Sequence, residues 1–143
     1  MIKDNKAQVS LEYLLIFAVS LLLLIAFTLP IATIALEKTS DVSNSLNVKS
    51  EVSKLSNAIS KVYAEGQGSK QSVYLDMNTD VSLRIHSSYI QTRLPLSDGS
   101  YKEIKIPHNS NFVSETLILN KGENIIIVEW PAGSEKMLIF KHL

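Results

Sequence analysis

An uninterrupted stretch without charge is the feature that most constrains this fold. Residues Tyr13–Leu36 contain no acidic or basic side chain. At about 1.5 Å per residue, a helix over this stretch is roughly 36 Å long and crosses a hydrocarbon core of about 30 Å. Its polar residues, Ser20, Thr28 and Thr33, are expected to donate hydrogen bonds to helix carbonyls. Because the helix is apolar all round, it is expected to be surrounded by lipid or by an apolar protein bundle.

Basic residues precede this stretch. Lys3 and Lys6 favour a cytoplasmic N-terminus, with the remainder of the chain outside. A secretory signal peptide is the alternative interpretation, although its apolar region usually spans only about 7–15 residues. Thr33 and Ala35 have the spacing that a signal peptidase uses. A secreted β-domain released after Ala35 therefore remains an alternative.

Two details distinguish the N-terminus from a plain anchor. Glu12 lies immediately before the uncharged stretch, where an ionised carboxylate at a membrane edge is costly and is a functional candidate. Lys6, Ala7 and Gln8 place a basic residue and a small residue before the apolar helix. A cut beside Ala7 would remove a short charged leader and leave the whole helix on the mature chain.

The segment QVSLEYLL at residues 8–15 resembles the Q-x-S-x-E-Y-L class III signal peptide of archaeal type IV pilin-like proteins. The resemblance implies cleavage between Ala7 and Gln8 by a prepilin peptidase on the cytoplasmic side of the membrane. It places Glu12 at the fifth position of the mature chain. Ala7 departs from the Gly found in many members, but it is also small. The expected organisation is a leader at 1–7, a transmembrane or filament-core helix at 8–36, an amphipathic helix half at 37–66 and a β-rich head at 67–143.

The resemblance also implies an assembly cycle, from the cell membrane to a pilus at the cell surface. The partners would be copies of the chain and other pilins. Glu12 would pair with the new α-amino group of Gln8 on a neighbouring subunit and set its register, or would form hydrogen bonds if Gln8 cyclises. The alternative for Glu12 is a solvated residue in the first helical turn. The residues expected to pack in the filament core are Tyr13, Leu14, Phe17, Leu21, Leu24 and Phe27.

Pro30 interrupts the hydrogen-bond pattern of the apolar helix. It cannot donate to the carbonyl of Ala26, so a kink or a locally loosened stretch is expected. The hydroxyl of Thr28 lies close enough along the chain to satisfy that carbonyl. A static kink and a flexible point that lets a filament stretch both remain open.

The chain after Leu36 changes to an amphipathic helical pattern. Apolar residues that step by four and three positions predict one buried face, formed by Val48, Val52, Leu55, Ile59 and Val62. Gly66 suits a left-handed helix cap. The helix either restarts near Thr39, Ser40 or Asp41 or continues from about Val9.

The last part of the chain has the pattern of short strands separated by turns. Asn120–Glu123 predicts a hairpin, and the stretch Ile125–Val128 predicts a central strand covered on both faces. The predicted fold is α+β, a type IV pilin-like lollipop with an antiparallel sheet packed on the amphipathic helix half. The expected strands are Gln71–Met77, Val81–His86, Tyr89–Leu94, Tyr101–Ile106, Val113–Leu119, Asn124–Trp130 and Lys136–Phe140.

The sequence shows no pattern typical of catalysis. It has no cysteine, and His86, His108 and His142 lack metal-ligand spacing and are expected at the surface. Trp130 is expected in the core or at its rim. The formal net charge of zero argues against a nucleic-acid partner. We therefore expect no enzyme activity, metal or cofactor. The resemblance to class III signal peptides implies a structural pilin subunit of an adhesion filament, and a minor pilin or a monomeric membrane-anchored surface domain is the alternative.

Overall fold

The computed structural model describes residues 4–111 and 114–142, with side chains described from residue 9 onward. Within these residues, one helix, α1 (Asp4–Glu65), is followed by seven strands. The chain divides into two compact units between Thr39 and Ser40. The strands are β1 (Lys70–Met77), β2 (Val81–Ile85), β3 (Tyr89–Pro95), β4 (Tyr101–Pro107), β5 (Glu115–Leu119), β6 (Gly122–Glu129) and β7 (Leu138–His142).

Helix α1 continues without a restart. Thr39 donates its hydroxyl hydrogen bond back to the carbonyl of Ala35 at 2.8 Å. Asp41 accepts hydrogen bonds from the backbone and hydroxyl of Ser97, so neither residue caps a new helix. Of the two alternatives, the continuous helix is therefore the one observed, and it already includes Asp4, the first described residue, upstream of Val9.

The hydroxyl groups in the uncharged stretch bond as expected. Ser20 donates to Ile16, and Thr33 donates to Leu29. Thr28 donates to Leu24 at 2.6 Å and so does not serve the carbonyl of Ala26. Pro30 lies inside the continuous helix.

The predicted apolar face of the second helix half is confirmed. Its five residues, Val48, Val52, Leu55, Ile59 and Val62, are each at most 1% exposed. The helix ends where Gly66 takes a positive φ of 86° and donates its backbone N–H to the carbonyl of Val62 at 3.0 Å. The predicted glycine cap is therefore confirmed, because this left-handed conformation is accessible to glycine at little cost.

In the described residues, seven strands overlap the seven predicted stretches, and the α+β class with a helix packed on antiparallel strands is confirmed. The last strand begins and ends two residues later than predicted, and Val113, the predicted first residue of β5, lies outside the described residues. The seven strands form two sheets instead of one. The first has the order β1-β6-β7 and the second has the order β4-β3-β2-β5, with every pair antiparallel. The predicted β5–β6 hairpin is wrong, because β5 pairs with β2 while β6 pairs with β1 and β7.

Two short crossings carry the chain between the sheets. Asn78–Asp80 connects β1 to β2, and the residues after Leu119 connect β5 to β6. The crossings are tied together by the backbone N–H of Lys121, which donates to the Asp80 carboxylate at 2.7 Å. The Asn124 side chain donates to the carbonyls of Asn120 and Gly122 and supports the turn. These hydrogen bonds pair the backbone groups of a turn that leads from one sheet to the other, and similar bonds would pair those of a hairpin turn.

One apolar core joins the inner faces of both sheets to α1 residues 48–62. β6 is the central strand of its sheet, as predicted. Ile126 and Val128 are fully buried on its inner face, and Ile127 on the outer face is 8% exposed. The core that holds the strands in place is therefore internal to residues 40–143.

The position predicted for Trp130 is confirmed, whereas the position predicted for one histidine is wrong. Trp130 is partly buried and packs against the core, as expected. The expectation that all three histidines lie at the surface is wrong for His108, which is 5% exposed. Its backbone N–H donates to the carbonyl of Ser88, which draws the residue following β4 against the turn between β2 and β3.

Candidate functional site

The apolar half of α1, residues 9–36, exposes apolar side chains on all sides of the helix. Its most apolar 18-residue window has no buried residue, and among the described helices α1 is long and apolar enough to cross a membrane by length and composition. The predicted packing residues lie along this surface with exposures between 49% and 70%. They are Tyr13, Leu14, Phe17, Leu21, Leu24 and Phe27.

Exposure on this scale sets a physical requirement. Burying one large apolar side chain is worth about 1.5–3 kcal/mol, so the six predicted packing residues together represent on the order of 10 kcal/mol. Contiguous apolar surfaces larger than a few hundred Å² mark contacts with proteins or membranes. The helix therefore requires lipid or other apolar helices around it.

The predicted processing and register residues lie at the start of this surface. The backbone of Ala7 and Gln8 belongs to α1, and their side chains fall outside the described ones. Glu12 is exposed, and within the described side chains it makes neither an ion pair nor a hydrogen bond. The cleavage, register and packing roles remain predictions.

A buried polar contact fixes the helix to the end of β1. The backbone N–H of Asp76 donates to Glu51 Oε2 at 3.0 Å, and Lys54 Nζ lies 2.6 Å from Glu51 Oε1. Asn47 donates to the carbonyl of Asp76 at 3.0 Å and accepts from the backbone of Asn78 at 3.1 Å. Sequence reasoning missed Glu51 and Asn47. The available signal was the position of Glu51 within the apolar stripe, three residues after Val48.

Further contacts hold the helix against the other strands. Ser56 donates its hydroxyl hydrogen to the carbonyl of Pro107 at 2.6 Å. The Tyr63 and Trp130 rings stack with centroids 5.7 Å apart and planes 2° from parallel. Trp130 Nε1 donates to the carbonyl of Ser134 at 2.8 Å. Together with the apolar core, these contacts hold the described residues of the second unit together as one body.

Two of the described ionisable groups have shifted pKa values, and burial is the main cause of both shifts. Burial lowers the pKa of His108, while contacts with the backbone of His86, Asn109 and Tyr89 oppose that shift. Burial raises the pKa of Glu115. Across the described ranges, no group of three or more His, Asp or Glu side chains is placed to hold a metal ion.

This geometry defines a class of protein: an α+β body whose core helix continues into an apolar segment that needs lipid or protein around it. Residues 5–36 match the family model described as Class III signal peptide. The matched segment contains Ala7, Gln8, Glu12 and the uncharged stretch, and it is less than a quarter of the chain. Comparisons with curated proteins and with solved structures gave no match.

The match agrees with the resemblance drawn from QVSLEYLL and indicates a pilin-like substrate of a prepilin peptidase. A signal peptide of this class followed by an apolar helix is consistent with membrane anchoring and surface exposure. The match ends at residue 36 and does not extend to the strands.

Proposed function

We propose that this protein is a structural pilin subunit, cut between Ala7 and Gln8 and polymerised through the apolar half of α1 into an archaeal adhesion filament. The observation that carries the proposal is the exposed apolar helix within a class III signal peptide match. Its mechanism is packing, not catalysis. Its partners are the membrane before assembly, a prepilin peptidase, and other copies or related pilins afterwards.

Assembly exchanges one apolar environment for another. Lipid tails are as apolar as leucine, so moving α1 from the bilayer into a helix bundle gains little from the hydrophobic effect itself. Close packing and polar matching must therefore favour the filament. Contacts that repeat head to tail without closing a ring generate an open helical polymer.

Glu12 supplies the polar matching in this proposal. Its carboxylate has no partner among the described side chains and lies at the start of the apolar surface, immediately before Tyr13. A neighbouring α-amino group at Gln8 would satisfy it only in the correct register. A misplaced subunit would leave a charge desolvated and unpaired, which costs several kcal/mol.

The first experiment determines the mature N-terminus by mass spectrometry of the membrane and filament fractions. We expect a start at Gln8, cyclised or not. A start at Leu36 would contradict the proposal and favour a secreted domain. An intact Met1 would instead favour a plain membrane anchor.

A pair of variants tests the peptidase step. Ala7→Gly keeps a small residue and is expected to be processed normally, whereas Ala7→Trp is expected to leave the leader attached. Both proteins should reach the membrane, because neither change touches the apolar stretch. Equal processing of the two variants would contradict cleavage at this bond.

Polymerisation and adhesion need their own measurements. Electron microscopy of cells that express the chain should show filaments containing it, and cells lacking it should attach less to surfaces. Correctly processed protein that remains monomeric in the membrane would support the anchored surface domain instead. A very low copy number in the filaments would support a minor pilin.

A further inference from the structure

Both arginines of the chain lie on the outer face of the four-stranded sheet. Arg84 on β2 alternates with buried Leu83 and Ile85, and Arg93 on β3 alternates with buried Thr92 and Leu94. Both side chains are therefore exposed on the side of the sheet away from the core.

The register brings the two arginines together. Arg84 is directly opposite Gln91, so Arg93 is its diagonal neighbour across the β2–β3 pair. Diagonal neighbours in a sheet are about 7–8 Å apart, within reach of two long side chains. They line a cleft of about 150 Å³ together with Ser82, Gln91 and Thr92, which we call the arginine cleft.

The charges of the arginine cleft are not balanced within the described part of the chain. Glu103 is opposite Arg93 in the register, but its carboxylate accepts a hydrogen bond from Gln91 and lies 3.7 Å from Lys105 Nζ. None of the ion pairs found in the described residues includes Arg84 or Arg93. Three cations and one carboxylate leave an excess of positive charge on this face.

An opposite imbalance occurs on the outer face of the three-stranded sheet. Asp76 on β1 and Glu123 on β6 are direct cross-strand partners, and both are exposed. Like charges in this position are destabilising. Neither carboxylate belongs to an ion pair in the described ranges. Two lysines close to them in the chain or on the helix make other contacts: Lys54 pairs with Glu51, and the backbone N–H of Lys121 donates to Asp80. We call Asp76 and Glu123 the acidic pair.

The two patches lie on different sheets, each on a face that points away from the common core. Arginine guanidinium groups bind carboxylates with two parallel hydrogen bonds, so two neighbouring arginines complement two adjacent carboxylates in charge and in hydrogen-bonding groups. A contact between two different patches of identical chains is heterologous and extends into an open polymer.

We propose that the arginine cleft binds the acidic pair of a neighbouring copy of this chain. The inference rests on the proposed filament function and adds to it a contact between heads, separate from the apolar helix. It assigns to Arg84 and Arg93 the selection of the neighbouring subunit, since a wrong docking position would leave four charges without partners.

The test reverses the charges in cells that assemble the full chain. R84E/R93E places four carboxylates against each other at every contact and is expected to lower filament yield by at least about tenfold, because like-charge juxtaposition costs several kcal/mol. D76K/E123K is expected to lower it similarly. The four-fold variant R84E/R93E/D76K/E123K restores opposite charges and should recover most of the yield.

A matched control and a folding check separate the possible outcomes. K61E/K136E makes the same change in net charge away from both patches and should leave the yield near that of the wild type. Trp130 fluorescence of each purified protein reports whether the body is folded. Normal assembly of R84E/R93E, or failure of the four-fold variant to recover, would overturn the contact. Absence of filaments from the wild type would overturn the proposed function itself.

Discussion

Replacing Leu55 by Ala tests whether the two halves of α1 are stabilised by different surroundings. Leu55 is fully buried between the helix and the sheets. Leu→Ala changes at such positions lose the transfer free energy of the removed methyl groups and leave a cavity, at a total cost of about 2–5 kcal/mol. This is a large part of the roughly 5–15 kcal/mol that stabilises an ordinary domain.

The matched control is the same substitution on the same helix. Leu24 is 63% exposed, so Leu24→Ala is expected to change the stability of the body by less than about 0.5 kcal/mol. Helix propensity does not separate the variants, because Ala is slightly better than Leu at either position.

The assay is thermal unfolding of the full chain in mild detergent, followed by tryptophan fluorescence. Trp130 is the single tryptophan and stacks on Tyr63, so its emission reports the contact between α1 and the strands. We expect Leu55→Ala to lower the midpoint by at least about 8 °C. An unchanged midpoint for Leu55→Ala, or an equal fall for Leu24→Ala, would refute the separation of the two halves.

Three further changes give distinct results. Glu12→Val should still insert into the membrane but should lower filament yield. Glu12→Gln should be tolerated if the contact is a hydrogen bond and not an ion pair. Unchanged filament yield for Glu12→Val, seen by electron microscopy, would argue against the register role. Asn47→Ala removes two hydrogen bonds to the end of β1 and should cost about 1–3 kcal/mol in urea unfolding, whereas Asn57→Ala, on the polar face, should cost less. Burial places the pKa of His108 in the folded state below its ordinary value of 6.5, so the unfolded chain binds more protons as the pH falls. Folding stability should therefore decrease as the pH falls through about 6.5, the pKa of an unperturbed histidine. The decrease should be smaller in His108→Gln, and equal slopes in urea titrations would contradict it.

Local patterns predicted the elements well because each depends on residues close together in the chain. The steps of three and four from Val48 to Val62 identify the buried helix face, and Gly66 identifies the helix end. The strand positions follow from alternation and turn residues. These signals need no knowledge of distant partners.

Pairing between strands was predictable only in part. The residues between Leu119 and Ile125 have the composition of a hairpin, yet they carry the chain from one sheet to the other. A short turn satisfies its hydrogen bonds in either case, and the decisive contact, Lys121 with Asp80, lies 41 positions apart. The burial of His108 and the contact of Glu51 with Asp76 likewise depend on residues distant in sequence.

The site shows the same division. Cleavage and register at Ala7, Gln8 and Glu12 were inferred from a contiguous motif, which the family match also covers. The arginine cleft has no such motif, because Arg84 and Arg93 meet only through the antiparallel register of β2 and β3. Sheet pairing created that neighbourhood, and sequence spacing alone does not reveal it.

The division of the chain at Thr39 gives one helix two kinds of evolutionary constraint. A substitution between residues 40 and 65 changes packing against the strands of the same molecule, so its effect on stability is expected already in a single folded chain. A substitution between residues 9 and 36 is expected to act mainly through contacts with the membrane or with neighbouring helices, because these side chains are exposed. The first segment should diverge together with its own strands, and the second together with the membrane and the neighbouring helices.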